Sequence, residues 1–290
     1  MPTHRAQFAA PSSTVPPKLG ILAGGGSIPK HLIDACEKQH RPCFVVAIDN
    51  NADLESISSA AHCCVALGSI GKIIDSLKKA DVKEVVMAGR IERPSWQDMH
   101  LDRRALKMLP KVLAGAQGDG SILSLAIKEL ELEGFRVVAI DDILGDILTP
   151  KGCLGEYQPD SMAQEDISRA VEVGLALGAV DVGQAVVVQQ GVVLGVEALE
   201  GTDSLLERCS GLRLPGSGGV LLKLKKVNQD SRADLPAVGP DTVTKAILAG
   251  LRGIALEARA SLLIDQERIV KDADLGGIFV IGVKVQRCPE

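Results

Sequence analysis

The chain has 290 residues, of which 46% are hydrophobic, so it can form two domains with buried cores. A formal net charge of −5 and an aromatic content of 2% argue against a nucleic-acid partner, which requires a basic face and stacking platforms. The seven cysteines form no C-x-x-C pair and no zinc-ligand spacing, so we expect mostly buried thiols in a reducing cytosol. No apolar run reaches the roughly 20 residues that a membrane span needs.

The first half of the chain alternates short aliphatic runs with helical patterns. Residues 1–17 are rich in Pro, Ser, Thr and Ala, which predicts a disordered leader. Strands are then predicted at 19–23, 43–48, 64–67, 84–88 and 136–140. Aliphatic strands that alternate with helices favour a parallel sheet covered on both faces. We therefore predict a Rossmann-like parallel α/β domain over residues 18–150.

Three of these predicted strands lead into glycine, and two of the turns also carry a cation. The residues are Gly24, Gly25 and Gly26, then Gly71 with Lys72, then Gly89 with Arg90. Because ligands bind beyond the carboxyl ends of parallel strands, these residues are candidates for contact with phosphate, sugar or nucleobase. Tight strand-to-helix turns are the alternative explanation. The first turn does not fit G-x-G-x-x-G, because Pro29 occupies the place of the last glycine.

The second half, residues 151–290, begins where the rhythm of the elements changes near 149–152. A helix at 161–177 precedes two paired strands at 184–190 and 192–197 and a short helix at 202–209. The domain continues with a strand at 220–224 and a helix face, and it ends with two or three strands, including 278–283. This order predicts a mixed α/β domain.

Acidic residues mark further candidate positions in both halves. Asp119 lies between two glycines at the start of a predicted helix and could contact a ligand, although helix capping also explains it. Glu197 and Asp203 could hold a hard cation, which prefers oxygen ligands. Capping by Thr202 and Asp203 is the alternative.

The segment 223–239 reads K-L-K-K-V-N-Q-D-S-R-A-D-L-P-A-V-G. Its cations could bind phosphate oxygens, and its carboxylates could hold a divalent metal or a water molecule. Phosphoryl chemistry needs this combination, because charge spreads over several oxygens in the transition state. A solvated charged loop is the alternative.

Several motifs in order along the chain resemble the LpxI-type UDP-2,3-diacylglucosamine pyrophosphatases. They include K-L-G-I-L-A-G-G-G-S-I-P at 18–29, G-S-I-G-K-I at 68–73, A-G-R-I-E-R-P at 88–94, E-A-L-E-G-T-D at 197–203 and Q-D-S-R-A-D-L-P-A-V-G at 229–239. The resemblance covers essentially everything after residue 17. Val227 and Ala233 depart from the family pattern, and neither change removes a charged group.

The resemblance implies two α/β domains with the substrate in a cleft between them. It implies hydrolysis of UDP-2,3-diacylglucosamine to UMP and 2,3-diacylglucosamine 1-phosphate (lipid X), a step of lipid A biosynthesis. It also implies Mg²⁺ dependence, a homodimer, and a place in the cytoplasm of a Gram-negative bacterium, peripheral to the inner membrane lipid.

The family's critical aspartate, in its R-x-D-L-P motif, corresponds to Asp234. With it we predict Lys223 and Arg232 as catalytic residues, and Asp234, Asp203 and Glu197 as metal ligands. The predicted substrate-binding set joins the glycine turns and Asp119 to Gln184, Thr202, Lys226 and Gln229.

Two other functions fit part of the sequence. A dinucleotide-dependent oxidoreductase could use Asp49, which follows the second strand as a ribose-binding acid does, but it lacks the third glycine. A non-catalytic nucleotide or lipid sensor would bind its ligand without releasing UMP.

Overall fold

A computed structural model of the chain describes residues 16–91, 101–115, 119–226, 230–232 and 235–287. The elements of the N-terminal half are β1 (Leu19–Ala23), α1 (Ile28–Lys38), β2 (Cys43–Ile48), β3 (His62–Val65), α2 (Ile70–Lys79), β4 (Glu84–Ala88), α3 (Arg103–Gly115), α4 (Asp119–Leu132), β5 (Arg136–Val137) and α5 (Ile140–Leu144).

The N-terminal sheet has the strand order β3-β2-β1-β4-β5, and its strands are parallel. The order reverses between β1 and β4, so the turns that follow these two strands leave the sheet on opposite sides of a crevice. The prediction of a Rossmann-like parallel sheet is confirmed.

Two of the predicted strand ranges need correction. The third strand begins at His62 because its pairing with β2 starts there, at Val45. The fifth strand ends at Val137, and Ile140 begins α5 instead of closing the strand. The reason is local, because the Asp142 carboxylate accepts a hydrogen bond from the Ala139 N–H at 3.0 Å and so caps the new helix.

The C-terminal half begins with β6 (Gly152–Leu154). It continues with α6 (Ser161–Ala179), β7 (Ala185–Gln189), β8 (Val192–Val196), α7 (Gly201–Ser210), β9 (Val220–Lys223), β10 (Ala237–Val238), α8 (Pro240–Leu248), β11 (Gly253–Glu257), β12 (Leu262–Leu263), α9 (Gln266–Gly276) and β13 (Phe279–Val283).

The C-terminal sheet is mixed, with the order β6-β13-β11-β9-β7-β8. Strands β13, β11 and β9 are parallel, while β6, β7 and β8 join antiparallel. The hairpin between β7 and β8 turns at Gln190 and Gly191, both with positive φ, as the twist of a two-residue hairpin requires. Apolar clusters cover both faces, one formed with α6 and the other with α7, α8 and α9. The predicted mixed α/β class is confirmed.

The two halves share buried surface. Leu262 of β12 is a buried member of the core that β1, β2 and α1 form, and Leu235, Ala237 and Ile264 pack against the same core. Leu148 and Leu262 form a backbone bridge beside the crossing between the halves. The C-terminal half thus supplies part of the N-terminal core.

A polar contact also joins the halves. The His31 ring in α1 lies between the Ser27 carbonyl oxygen, 2.8 Å from Nδ1, and the Asp265 carboxylate, 3.1 Å from Nε2. Partial burial lowers the pKa of His31, but the two acceptors outweigh it and the pKa is raised overall. Only the protonated ring can donate to both acceptors.

Within the described ranges, every helix is too short or too polar to cross a bilayer.

Candidate active site

The turns after β1 and β4 are hydrogen-bonded to each other through glycine. The Gly25 N–H donates to the Arg90 carbonyl at 2.8 Å, and the Arg90 N–H donates back at 2.9 Å. A Cβ atom on Gly24 would lie 2.5 Å from the Arg90 carbonyl oxygen, and one on Gly89 would lie 2.6 Å from that of Gly25. Close backbone packing is therefore sufficient to explain Gly24 and Gly89.

Gly26 differs from these two glycines. Its φ is +92°, its surface is exposed, and a Cβ atom there would meet no described atom within 4 Å. The open space in front of Gly26 makes its backbone the part of this turn that a ligand can approach. Lys72 and Arg90 are also exposed near strand ends of the same sheet.

Asp102 occupies the start of two helices at once. Its carboxylate accepts hydrogen bonds from the N–H groups of Gly71 at 2.7 Å, Arg104 at 2.9 Å and Ala105 at 2.8 Å. Burial would raise the pKa of Asp102, but these donors outweigh it and the pKa is lowered. The Gly71 N–H is therefore engaged by the protein's own carboxylate. Sequence reasoning missed Asp102, although D-R-R-A before an apolar helix is a capping signal.

Polar side chains also gather at one edge of the C-terminal sheet. The register pairs Ala185 with Lys223 and Val186 with Val196, so the start of β7 lies beside the ends of β8 and β9. This arrangement brings Gln184, Lys223 and Glu197 to the same edge.

Glu197 is buried and fully hydrogen-bonded. One carboxylate oxygen accepts from the Thr202 hydroxyl at 2.7 Å, and the other accepts from the Gln184 N–H at 3.1 Å. The Gln184 side-chain oxygen is buried and has no hydrogen-bond partner in the described part of the chain.

Two lysines of the 223–239 segment are held by acceptors. The buried Lys223 ammonium donates to the Ala237 carbonyl at 3.0 Å, and Lys226 pairs with Asp181 at 2.7 Å. Nearby, Glu257 at the end of β11 accepts from the Lys225 N–H at 3.0 Å and from Arg287 at 2.7 Å. Sequence reasoning missed Glu257, because only the parallel pairing of β9 and β11 brings it beside Lys225.

Arg232 connects the two halves. Its guanidinium binds both oxygens of Asp230, at 3.0 and 2.8 Å, and donates to Glu131 of α4 at 2.6 Å. Hydrogen bonding to Arg232 lowers the pKa of Asp230, and the two carboxylates together raise the pKa of Arg232. Arg232 is therefore charged at all physiological pH values and held at the junction between the halves.

No grouping of the remaining predicted site residues is seen among the described residues. Asp234 and Gln229 lie outside the described residues, and Asp119 is the first residue of α4. Asp203 forms an ion pair with Lys245. Among the described residues, no three His, Cys, Asp or Glu side chains are grouped to hold a metal.

A Rossmann-like domain joined to a mixed α/β domain, each with cations at its strand ends, defines a two-domain α/β protein suited to phosphorylated ligands. The family comparison is more specific. The LpxI N-terminal domain matches residues 18–147, and the LpxI C-terminal domain matches residues 150–281. The chain belongs to the LpxI family.

A relative supports the same assignment. The UDP-2,3-diacylglucosamine pyrophosphatase LpxI of Caulobacter vibrioides is 37% identical over 279 residues, which cover 94% of this chain and 99% of the relative. The resemblance that the sequence motifs indicated is confirmed.

Proposed function

We propose that this protein hydrolyses the pyrophosphate bond of UDP-2,3-diacylglucosamine, giving UMP and 2,3-diacylglucosamine 1-phosphate in lipid A biosynthesis. The observation that carries the proposal is the identity of 37% to a pyrophosphatase of that name, over nearly the full length of both chains.

The C-terminal sheet edge supplies the charges that this reaction needs. Lys223, Lys226 and Arg232 would offset the charge of the diphosphate, since phosphoanhydride hydrolysis depends on positioning and electrostatic stabilisation. Lys223 and Arg232 are held by hydrogen bonds before substrate binds, so little reorganisation would accompany the reaction. Gln184 and Thr202 would act through Glu197, whose carboxylate accepts hydrogen bonds from the Gln184 N–H and the Thr202 hydroxyl.

We assign the central role to Asp234, as the group that orients the attacking water or binds the metal. The assignment is supported by its neighbours in sequence. Arg232 donates to Glu131, and Leu235 packs on the N-terminal core, so described residues on both sides of Asp234 contact the N-terminal half.

The N-terminal glycine edge would hold the nucleotide or sugar. The exposed turn at Gly26 and the cation Arg90 follow the carboxyl ends of β1 and β4, where ligands of such sheets bind. Lys72 lies in the first turn of α2, which follows β3. We propose that the substrate cleft lies between this edge of the N-terminal sheet and the polar edge of the C-terminal sheet.

The proposal includes Mg²⁺. Mg²⁺ is usually held by one or two carboxylates together with substrate phosphates, and when bound it neutralises charge on the phosphates. Asp234 is our candidate ligand. Glu197 and Asp203 fit less well, because their carboxylates already bind Thr202, Gln184 and Lys245. We also propose that the protein is a homodimer. It would act in the cytoplasm of a Gram-negative bacterium, in peripheral contact with the inner membrane.

The test is incubation with UDP-2,3-diacylglucosamine and Mg²⁺, with UMP followed by chromatography. We expect UMP release that EDTA abolishes and added Mg²⁺ restores. Asp234→Ala should abolish turnover and leave folding intact, whereas Asp203→Asn, which removes a surface ion pair, should retain it. Turnover by Asp234→Ala near that of the wild type would reject the role of Asp234. Binding without UMP release would favour the sensor.

A further inference from the structure

One cavity that the described residues line lies between α3 and α4, and the proposed function does not use it. It has a volume of about 520 Å³ and is lined by Arg103, Arg104, Lys107, Met108 and Glu129. This volume falls in the range of small-ligand and headgroup sites.

Helix α3 is strongly basic in a chain of net charge −5. Residues 103–115 contain four cationic residues and no acidic one. Because successive residues are turned by roughly 100°, Arg103, Arg104 and Lys107 share an arc of about 100° on one side of the helix. The three cations therefore cluster on one side of α3, where Glu129 and Glu133 of α4 border Arg104.

Arg104 has a structural role in this patch, whereas Arg103 and Lys107 point to solvent. The Arg104 guanidinium donates to Glu129 of α4 at 3.0 Å and also binds Glu133. Arg103 and Lys107 are exposed, and no described carboxylate pairs with either.

Apolar atoms border the same patch. The Leu106 side chain is 52% exposed, and Met108 lines the cavity beside the cations. On the opposite side of α3, Ala105 is buried against the protein. An exposed face that combines cations with a leucine and a methionine is typical of helices that lie on anionic membranes.

We propose that this α3 surface, defined as Arg103, Leu106, Lys107 and Met108, docks on an anionic phospholipid bilayer. We choose a bilayer as the partner because its anionic charge is complementary to the cations of the α3 surface. A flat bilayer would contact this surface alone and leave the acidic remainder of the protein in solution. The inference rests on the proposed function only in that the substrate is a membrane lipid. Lipid binding without substrate therefore tests it separately.

The experiment measures co-sedimentation of the full chain with vesicles. We expect binding to vesicles that contain phosphatidylglycerol, little binding to pure phosphatidylcholine, and release in 0.5 M NaCl. Arg103→Gln combined with Lys107→Gln should lower the partition coefficient about 30-fold, since each cation near an anionic surface contributes about fivefold. The matched control is Lys38→Gln with Lys271→Gln, which removes two exposed cations from α1 and α9.

A second measurement separates docking from catalysis. The Arg103/Lys107 double variant should hydrolyse detergent-dispersed substrate at the wild-type rate and vesicle-embedded substrate more slowly. Equal loss of vesicle binding in the control variant, or undiminished binding in the double variant, would overturn the proposal. Equal binding to neutral and anionic vesicles would overturn it too. Vesicle binding without hydrolysis by the wild-type protein would leave docking supported and the proposed enzymatic function refuted.

Discussion

Two glycines with nearly the same φ lead to different predictions for substitution by alanine. Gly26 and Gly89 have φ values of +92° and +94°. A left-handed conformation costs an L-residue roughly 1–2 kcal/mol, and a smaller unfolded-state effect of Gly→Ala offsets part of that cost. Gly26→Ala should therefore lower the free energy of unfolding by about 1 kcal/mol. No steric cost is added, because the new methyl group would meet no described atom within 4 Å.

Gly89→Ala carries the same conformational cost and a steric one. Its Cβ would lie 2.6 Å from the Gly25 carbonyl oxygen and 2.8 Å from the Gly24 carbonyl carbon, and both atoms belong to backbone. Overpacking of this kind adds roughly 1–3 kcal/mol, so the total loss should reach about 2–4 kcal/mol. Separating the two turns would also break the paired hydrogen bonds between Gly25 and Arg90.

The assay is urea unfolding of both variants, read as a change in midpoint at unchanged slope. Steady-state kinetics should show the reverse order, with Gly26→Ala raising the KM for substrate because its methyl group occupies the open space before the turn. Equal destabilisation by the two substitutions would refute the close approach of the turns. A wild-type KM for Gly26→Ala would refute ligand contact at this position.

Two further predictions concern the junction between the halves. Arg232→Gln should lower kcat/KM at least 100-fold while changing the free energy of unfolding by less than about 1 kcal/mol, since partly exposed ion pairs contribute little stability. Glu131→Gln, which keeps the Asp230 pair, should lower kcat/KM less than tenfold, and equal losses in the two variants would contradict a role in charge neutralisation. Because the pKa of His31 is raised in the folded protein, its stabilising contribution is complete below pH about 6.5 and is lost as the pH rises through the folded-state pKa. Chemical unfolding at pH 5.5 and 8 should show this loss in the wild type and a smaller one in Asp265→Asn; an unchanged pH dependence would exclude the His31 contact as its source.

The sequence was most informative where one physical requirement dominates. The aliphatic runs 19–23, 43–48 and 84–88 coincide with strands, because a parallel sheet buried on both faces demands continuous apolar residues. At Ile140 the same apolar pattern predicted a strand wrongly. The Asp142 carboxylate, two residues later, caps a helix there. The pattern of apolar residues indicates which positions are buried. It carries no information about a single hydrogen bond that starts a helix.

The candidate site divides in the same way. The cations of 223–232 were recognisable from the sequence as a charged run beside a strand. Two of their partners were not, because Asp181 and Glu131 are distant in sequence and meet Lys226 and Arg232 only through the fold. Glu257 reaches the Lys225 backbone N–H in the same way. The capping of α2 by Asp102 depends on tertiary contact as well, whereas its capping of α3 is local.

Leu262 has an evolutionary consequence. It comes from the segment that matches the C-terminal family domain, yet it completes the core of the N-terminal one. An N-terminal fragment ending near residue 147 would lack this leucine, and the resulting hole would cost about 2–5 kcal/mol, as removal of a buried leucine side chain does. Chimeras that exchange the two domains between distant relatives should therefore fail unless Leu262 and the residues that surround it are transferred together. The two domains should therefore be inherited together and not exchanged separately.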